Sequence, residues 1–241
     1  MKWIIVTGES RGVGKEIARR ILLEGTYGVI GISRSKGVEV EDLKQLGGDQ
    51  FVHLSYDLDD VEGIKTLYLK KLKPLGVIYG FVNNSASAYD DIISNLRVDP
   101  LEKMFRINVL APMHLTKYVI RDMLLNKTKG SVVHISSISA HTGYKGLSMY
   151  ASTKGAIEAF SKNMAREWGA RGIRSNCVIP GFMDTAMSAS LTDEQKDRIY
   201  KRNAMKKETE IASVVSTVLF LLSEQSSSIT GTGIHVDNGT I

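Results

Sequence analysis

The sequence predicts one α/β domain built on a doubly wound parallel sheet with helices on both faces. Apolar runs rich in Val and Ile alternate along the chain with segments of helical periodicity, and strands covered on both faces have such near-continuous apolar sequences. Right-handed crossovers then wind the chain around both faces. A length of 241 residues fits a single domain of this class, and an apolar content of 43% is enough for a large core.

The strands are predicted from short apolar, β-branched runs that are bounded by turn residues. They are Trp3–Thr7, Gly28–Ser33, Phe51–Ser55, Val77–Val82, Ser131–Ser136, Ser175–Ile179 and Gly233–Val236. These seven runs define a Rossmann-type sheet in one domain that covers residues 1–241. Such sheets bind their ligands in a crevice at the carboxyl ends of the strands.

Helices are predicted where apolar residues recur with a period near 3.6. They cover Val13–Glu24, Val40–Leu46, Val61–Leu72, Pro100–Asn126, Met149–Gly169 and Glu208–Leu222. Gly25 is a stop signal for the first helix, and Pro112 should disturb the fourth locally. Residues 182–205 are predicted to form an insertion after the sixth strand.

Composition argues against several classes of protein. The net charge of +5 is spread along the chain and lacks the clustered basic residues of a nucleic-acid binder. The five histidines show no metal-ligand spacing, and no segment approaches the ~20 apolar residues of a membrane span. Cys177 is the single cysteine, which excludes an intramolecular disulfide and indicates a reducing, cytoplasmic location. We expect Cys177 to be a small buried residue of the sixth strand.

The turn between the first strand and the first helix is rich in glycine. Residues 7–14 read Thr-Gly-Glu-Ser-Arg-Gly-Val-Gly. Glycines permit a tight turn and close approach to a pyrophosphate, and the helix N-terminus presents unpaired N–H groups to it. The spacing is not the usual G-x-G-x-x-G, and a generic strand–helix turn is the alternative. The residues that we expect at a dinucleotide are Gly8, Ser10, Arg11, Gly12, Val13 and Gly14.

The end of the second strand predicts which dinucleotide binds. NAD sites usually carry an acid there for the ribose 2′-hydroxyl, whereas NADP sites have a basic residue nearby. Here Ser33 is followed by Arg34, with no acid. Arg34 is expected to face a 2′-phosphate, with Arg11 approaching from the glycine loop. The sequence therefore favours NADP(H), and a pair of solvated arginines is the alternative.

Tyr150 and Lys154 have a spacing that suits proton transfer. Residues four apart on a helix share a face, so the lysine charge should favour the phenolate and lower the tyrosine pKa from its usual value near ~10. A phenol tuned in this way can exchange a proton near neutral pH, as carbonyl–alcohol interconversion requires. Ser137 lies upstream, after the fifth strand. A solvated Tyr–Lys pair is the alternative for this spacing alone.

With these residues assembled, the chain resembles the short-chain dehydrogenase/reductase family over essentially its whole length. Within the family it is most similar to 3-oxoacyl-(acyl-carrier-protein) reductases and related NADPH ketoreductases. The matching catalytic positions are Asn108, Ser137, Tyr150 and Lys154. The matching cofactor positions are Thr7, Gly8, Gly12 and Gly14 of T-G-x-x-x-G-x-G, then Asp57, Leu58, Asn84, Pro180, Gly181, Met183 and Thr185.

One position departs from the family pattern. The usual Asn-Asn-Ala-Gly after the fourth strand is Asn83-Asn84-Ser85-Ala86 here. The change removes a permissive glycine beside the cofactor, so this loop is expected to follow a slightly different path.

The resemblance implies reduction of a ketone to a secondary alcohol with NADPH. Tyr150 would be the general acid, and Ser137 would donate a second hydrogen bond to the carbonyl oxygen. Lys154 would tune the tyrosine and bind the nicotinamide ribose, while Asn108 would hold a water in a proton path. It also implies a homotetramer or dimer assembled through the two long helices, Pro100–Asn126 and Met149–Gly169.

Substrate identity stays open at the level of the sequence. The insertion carries apolar residues that suit a substrate lid or simple packing: Phe182, Met183, Met187, Leu191 and Met205. A substrate tethered to acidic acyl carrier protein would require basic residues at the entrance, for which the candidates are Lys127, Lys129, Arg171 and Arg174. The alternatives are a ketoreductase of a free small molecule, such as a sugar derivative or secondary metabolite, and a catalytically silent NADP-binding regulatory protein.

Overall fold

A computed structural model of the chain describes residues 1–35, 37–184 and 192–241. These residues form one seven-stranded parallel sheet with the strand order β3-β2-β1-β4-β5-β6-β7. The strands are β1 (Lys2–Thr7), β2 (Gly28–Ser33), β3 (Phe51–Ser55), β4 (Val77–Asn83), β5 (Ser131–Ile135), β6 (Arg174–Pro180) and β7 (Gly233–Val236). The predicted doubly wound fold is confirmed, and predicted strand ends differ by a residue at most.

The helices cover both faces of this sheet. They are α1 (Gly12–Glu24), α2 (Val38–Gly47), α3 (Ile64–Leu67), α4 (Val98–Phe105), α5 (Ala111–Leu125), α6 (Ser148–Trp168), α7 (Asp193–Tyr200) and α8 (Ile211–Leu222). Alternate strand residues point to opposite faces: Ile4 belongs to the core cluster beneath α1, α2 and α8, and Ile5 to the cluster beneath α3, α5 and α6. Cys177 is buried in β6, as predicted.

Two predicted helices are interrupted by π-helical turns. The helix expected over Val61–Leu72 begins at α3 and continues as a π-helix over Tyr68–Leu72. The helix expected over Pro100–Asn126 is divided into α4 and α5 by a π-helix at Arg106–Leu110. Pro112 falls in the first turn of α5, where a missing N–H is tolerated. The hydrogen bond that this missing N–H cannot form would be to the carbonyl four residues earlier, which is that of Asn108.

The insertion contains a helix that the sequence analysis did not predict. Thr192 and Gln195 form a capping box at the start of α7, with each side chain bonded to the other residue's main-chain N–H. The helix predicted to begin at Glu208 begins at Ile211. Residues 208–210 are not helical, because Thr209 donates its N–H to the carbonyl of Phe182 at 2.9 Å. Thr185, Met187 and Leu191 lie outside the described residues.

The part of the chain that the structure describes contains no helix long and apolar enough to cross a membrane. Within those same three segments, no group of three or more His, Cys, Asp or Glu side chains is arranged to hold a metal ion.

Candidate active site

The strand order reverses between β1 and β4, and the loops that follow these two strands meet there. Asn84 Nδ2 donates to the carbonyl of Thr7 at 2.9 Å. The hydroxyl oxygen of Thr7 accepts the main-chain N–H groups of Asn84 and Ser85 at 3.0 and 3.1 Å. A reversal of this kind opens a crevice at the carboxyl ends of the strands. Asn84 therefore holds the glycine loop against the end of β4.

Positions 8 and 14 require glycine because the main chain of that loop passes close to itself and to Asn84. Gly8 has a φ of +74°, which non-glycine residues rarely adopt. A Cβ on Gly14 would collide with the carbonyl of Gly8 and lie 2.5 Å from Asn84 Nδ2. Ser85 is bonded at the crossing with Thr7. Ala86, which replaces the usual glycine of the Asn-Asn-Ala-Gly pattern, does not have the positive φ that would require glycine.

The start of α1 fits a dinucleotide pyrophosphate. Gly12 has a φ of +55°, and a Cβ built on it would meet no atom of the described residues within 4 Å. No described side chain caps the helix at Arg11, and its first turn has no acid. The first-turn N–H groups and the positive end of the helix dipole therefore face open space beside Gly12. Arg11 is exposed and Ser10 half-buried at the same turn.

The ends of β2 and β3 bring Ser33, Arg34 and Asp57 together. The Arg34 side chain is 65% exposed, and its Nη1 lies 3.8 Å from Asp57 Oδ2. The main chain connects the two loops through the Tyr56 N–H, which donates to the Ser33 carbonyl at 3.0 Å. The arrangement leaves a guanidinium at the rim of the crevice that could turn to an anionic ligand.

Other predicted cofactor residues lie at the same edge of the sheet, but some of their side chains are occupied elsewhere. Val13 and Leu58 are buried in the two core clusters, so only their main chains can reach the crevice. Gly181 donates its N–H to the Val236 carbonyl at 2.9 Å. Pro180 ends β6, and Met183 packs at the edge of the core cluster beneath α1.

Tyr150 and Lys154 lie on the same face of α6, next to the end of β5. Lys154 Nζ is 5.5 Å from the centre of the Tyr150 ring and donates to the carbonyl of Ile135 at 2.8 Å. Lys154 is buried. The serine predicted to act with them, Ser137, is two residues beyond Ile135. The structure therefore brings the three predicted groups to one place.

The predicted net lowering of the Tyr150 pKa is wrong. Burial, and secondarily the charge of Asp90, raise the pKa of Tyr150 above its ordinary value. The ammonium lies over the ring and bonds to a main-chain oxygen, and burial lowers its own pKa to about 8. Helical spacing correctly predicts that the two groups are neighbours, but not the desolvation that dominates both pKa values. The phenol is thus held in its protonated, donating form.

Ser137 is positioned by a short 3₁₀ turn at Ile138–Ala140. Its oxygen accepts the N–H of Ser139 at 3.2 Å, which leaves the hydroxyl hydrogen able to donate into the crevice. Ser137 is half-buried.

Glu158 is a residue of this site that the sequence analysis missed. Its buried carboxylate accepts from Ser136 Oγ and lies 2.9 Å from His141 Nε2. It therefore attaches both ends of the serine turn to α6, the helix of Tyr150 and Lys154. Its position one helical turn after Lys154 was the available signal.

Asn108 is a structural junction between three segments. Its Oδ1 accepts the N–H of Ser87 at 2.8 Å, and its Nδ2 donates to the Ser87 carbonyl at 2.8 Å and to Thr153 Oγ1 at 3.1 Å. The side chain thus makes three of the four hydrogen bonds that an amide can form. The main-chain carbonyl is different, because Pro112, four residues on, has no N–H to offer it.

The basic residues proposed for the entrance lie at the wrong end of the sheet. Lys127 and Lys129 precede β5, and Arg171 and Arg174 stand just before and at the start of β6. In a parallel sheet these positions form the edge opposite the carboxyl-end crevice. Arg174 is moreover buried and donates to the carbonyl of Leu221 at 2.7 Å. Within one chain none of the four borders the crevice.

A phenol, an ammonium and a serine hydroxyl beside a dinucleotide-type glycine loop define an oxidoreductase that acts on C=O or CH–OH groups. The chain belongs to the short-chain dehydrogenase/reductase family: the family model described as enoyl-(acyl carrier protein) reductase matches residues 8–240. Members of this family use a nicotinamide cofactor.

Curated proteins and solved structures similar to the chain agree with this assignment. The 3-oxoacyl-[acyl-carrier-protein] reductase FabG of Haemophilus influenzae is 34% identical over 239 residues, which cover 99% of this chain and 97% of that protein. Carbonyl reductase [NADPH] 2 of Sus scrofa is 32% identical, with 98% and 94% covered. A solved short chain dehydrogenase/reductase family protein superposes with a TM-score of 0.88 at 27% identity, over 99% of this chain and 96% of the other.

Proposed function

We propose that the protein reduces a ketone to a secondary alcohol with NADPH, and that its substrate is a 3-oxoacyl thioester carried by acyl carrier protein. The observation that carries the proposal is the position of Tyr150 and Lys154, whose ring centre and Nζ are 5.5 Å apart, beside Ser137 at the carboxyl edge of the sheet. The family's nicotinamide cofactor supplies the hydride when it is bound.

The chain's own groups manage the carbonyl oxygen and its proton. Tyr150 is kept protonated by burial and donates its phenolic proton to the oxygen as negative charge develops there. Ser137 donates a second hydrogen bond to the same oxygen: its hydroxyl oxygen accepts from the Ser139 N–H, and its single hydrogen is left to donate. Lys154, as an ammonium, stabilises the phenolate that Tyr150 becomes after the transfer.

The proton lost by Tyr150 is restored through Lys154 and a water. The Asn108 carbonyl, to which Pro112 has no N–H to donate, is the group that we assign to hold that water. The side chain of Asn108 holds the adjoining loop through Ser87. The resemblance implied one role for Asn108, which was to hold a water. In this proposal its main-chain carbonyl holds the water and its side chain holds the loop.

The preference for NADPH rests on Arg34 and Arg11. Both guanidinium groups are exposed, and Arg34 stands at the end of β2 where the 2′-position of the adenosine ribose is recognised in such folds. The pyrophosphate would lie on the first turn of α1, beside Gly12. The lid over the substrate is proposed for residues 182–205, in which Phe182 packs edge-on against Tyr200 of α7.

The substrate is assigned from the similarity to FabG proteins. A second candidate, a free ketone, is favoured by the similarity to carbonyl reductase [NADPH] 2. It is also favoured by the position of the four predicted basic residues at the opposite edge of the sheet. A homotetramer or dimer through α4–α5 and α6 remains a proposal from the resemblance, and the cytoplasmic location stays a prediction.

The decisive experiment is consumption of NADPH, followed by absorbance, with acetoacetyl thioesters on carrier protein or coenzyme A and with free diketones, quinones and keto-sugars. A kcat/KM that is highest for the carrier thioester supports the first assignment, and one highest for a free ketone supports the second. Tyr150→Phe should abolish turnover while NADPH still binds. Tyr27→Phe, at the opposite edge of the sheet, is the matched control. NADPH binding without turnover on any compound would indicate the silent regulatory protein.

A further inference from the structure

The glycine loop contains a buried acid. Glu9 follows Gly8 directly, is fully buried, and extends across the face of β2. A Cβ on Gly31 would lie 2.6 Å from Glu9 Oε1, so the missing side chain at Gly31 makes the room for this carboxylate. Its Oε1 accepts from Ser33 Oγ at 3.1 Å and lies 2.6 Å from His53 Nδ1. Glu9 thereby links the loop after β1 to β2 and β3.

The partner of the acid is equally withdrawn from water. The His53 side chain is 4% exposed. Glu9 Oε2 and His53 Nε2 are both buried without a hydrogen-bond partner among the described residues. Burial raises the pKa of Glu9, and the hydrogen bond from His53 opposes that rise. The pair therefore has two forms: a neutral form with one shared proton, and a form with net charge −1 after that proton is lost.

Charged groups also lie on the helices that cover this face of the sheet. Lys15 of α1 forms ion pairs with Glu39 and Asp42 of α2, and all three side chains are partly exposed to water.

Ser33 faces the Glu9–His53 pair from β2. Beyond the strand ends lie exposed charges, namely Arg34 and Asp57, 3.8 Å apart, and Arg11 at the start of α1. These exposed charges are screened by water, whereas the buried pair is not. A change of one charge in the pair should therefore alter the electrostatic potential at the end of β2 with little screening.

The end of β2 is where the fold distinguishes the two nicotinamide dinucleotides. When Glu9 is a carboxylate it accepts a hydrogen bond from the Ser33 hydroxyl, so that Ser33 presents lone pairs outward and not its hydrogen. Lone pairs and net negative charge suit a ribose 2′-hydroxyl, which can donate, and disfavour a 2′-phosphate, which can only accept. The added proton removes the net charge and with it the penalty on the phosphate.

We propose that Glu9 and His53 are positioning residues that set the cofactor preference, with the protonated pair favouring NADPH and the deprotonated pair reducing that preference. The inference rests on the proposed function, because it requires that a nicotinamide dinucleotide binds here. It adds a specificity determinant behind the site, in residues that touch no cofactor atom.

The test compares dissociation constants of NADPH and NADH, measured by cofactor fluorescence from pH 6.5 to 9 without substrate. The variants are Glu9→Gln, which keeps an acceptor for Ser33 but cannot ionise, and Glu41→Gln, a change on exposed α2. We expect the NADPH preference of the natural protein and Glu41→Gln to fall with rising pH, by roughly tenfold for one unit charge at about 10 Å. It should stay constant in Glu9→Gln. Ionisation of the 2′-phosphate itself, near pH ~6, affects all three proteins alike.

A second measurement, of the natural protein alone, keeps the proposal testable if Glu9→Gln does not fold. Because NADPH is expected to favour the protonated pair, its binding should take up more protons than the binding of NADH over the pH range in which the preference changes. Calorimetry in two buffers of different ionisation enthalpy measures this uptake. Equal pH dependence in Glu9→Gln and the natural protein, or equal proton uptake with the two dinucleotides, overturns the inference while leaving the proposed function intact. Failure of both dinucleotides to bind overturns the proposed function, and the inference with it.

Discussion

Lys154 Nζ donates a 2.8 Å hydrogen bond to the main-chain carbonyl of Ile135, which attaches α6 to the end of β5. The lysine is buried, and burial lowers its pKa to about 8. Keeping this ammonium charged in the folded protein at neutral pH therefore costs about 3 kcal/mol relative to water. A group retained at such a cost is expected to serve activity rather than stability.

Lys154→Met should separate the effect of this lysine on activity from its effect on stability. We expect kcat to fall by about a hundredfold or more, because the phenolate formed at Tyr150 loses its counter-charge. The free energy of unfolding should be unchanged or rise by about 1–2 kcal/mol, since the desolvation cost disappears and one hydrogen bond is lost. Steady-state kinetics and urea unfolding measure the two effects. Lys162→Met, exposed on the same helix, should change neither; parallel losses of activity and stability in Lys154→Met would refute this account.

The pH dependence of kcat/KM for reduction should report the titration of Lys154. Lys154 is an ammonium below its pKa of about 8 and a neutral amine above it, so kcat/KM should decline as the pH rises through about 8. The stability effect has the opposite sign: because the folded pKa lies below the unfolded value of about 10.4, the destabilisation is complete below pH 8 and is relieved as the pH rises toward 10. A kcat/KM that is flat from pH 7 to 9.5 would exclude Lys154 as the controlling group.

Glu158→Gln should shift the pH profile of kcat/KM. The carboxylate of Glu158 is among the groups that raise the pKa of Lys154 against the effect of burial, so its neutralisation should lower that pKa. The falling limb of the kcat/KM profile should then shift to lower pH, whereas a purely structural role in the serine turn would lower kcat/KM equally at every pH. Glu167→Gln, exposed on the same helix, is the control and should keep the original profile.

The sequence predicts the framework of this site well and its buried electrostatics poorly. Strand bounds could be predicted because each strand is a short apolar run between turn residues, and the glycine loop because its motif is local. The contact of Glu9 with His53 depends on the pairing of Gly31 with His53 between β2 and β3, and a single sequence does not specify that register. For the same reason, the spacing of Tyr150 and Lys154 predicts proximity but not burial.

The sequence also did not predict a polar helix, α7, and an irregular helical turn. The capping box of Thr192 and Gln195 is visible in the sequence as T-x-x-Q, but α7 lacks the apolar face by which helices were assigned. The π-helical turn at Arg106–Leu110 could not be predicted from periodicity, since one extra residue in a turn leaves the flanking apolar pattern nearly unchanged.

Asn108→Ala should loosen the loop that follows β4. It would remove hydrogen bonds to both main-chain groups of Ser87 and to Thr153 Oγ1, and we expect a loss of about 2–4 kcal/mol in the free energy of unfolding. Hydrogen exchange at Ser87 should accelerate more than exchange in the strands. Asn163→Ala, which removes an exposed hydrogen bond to Ala159 at 2.9 Å, should cost less than about 0.5 kcal/mol. Equal costs for the two variants would contradict the junction role.

Gly14→Ala tests the close approach on which the glycine loop depends. A Cβ there would collide with the Gly8 carbonyl and lie 2.5 Å from Asn84 Nδ2, so the first turn of α1 must move away from the end of β4. We expect a loss of about 1–3 kcal/mol in stability and a dissociation constant for NADPH at least about tenfold higher, because the N–H groups of α1 are displaced. Gly155→Ala is the control: it lies in α6, its Cβ meets none of the described atoms within 4 Å, and it should stabilise by about 0.5–1 kcal/mol. Urea unfolding and fluorescence titration give both quantities, and a Gly14→Ala protein that binds NADPH normally would show that the loop does not hold the pyrophosphate.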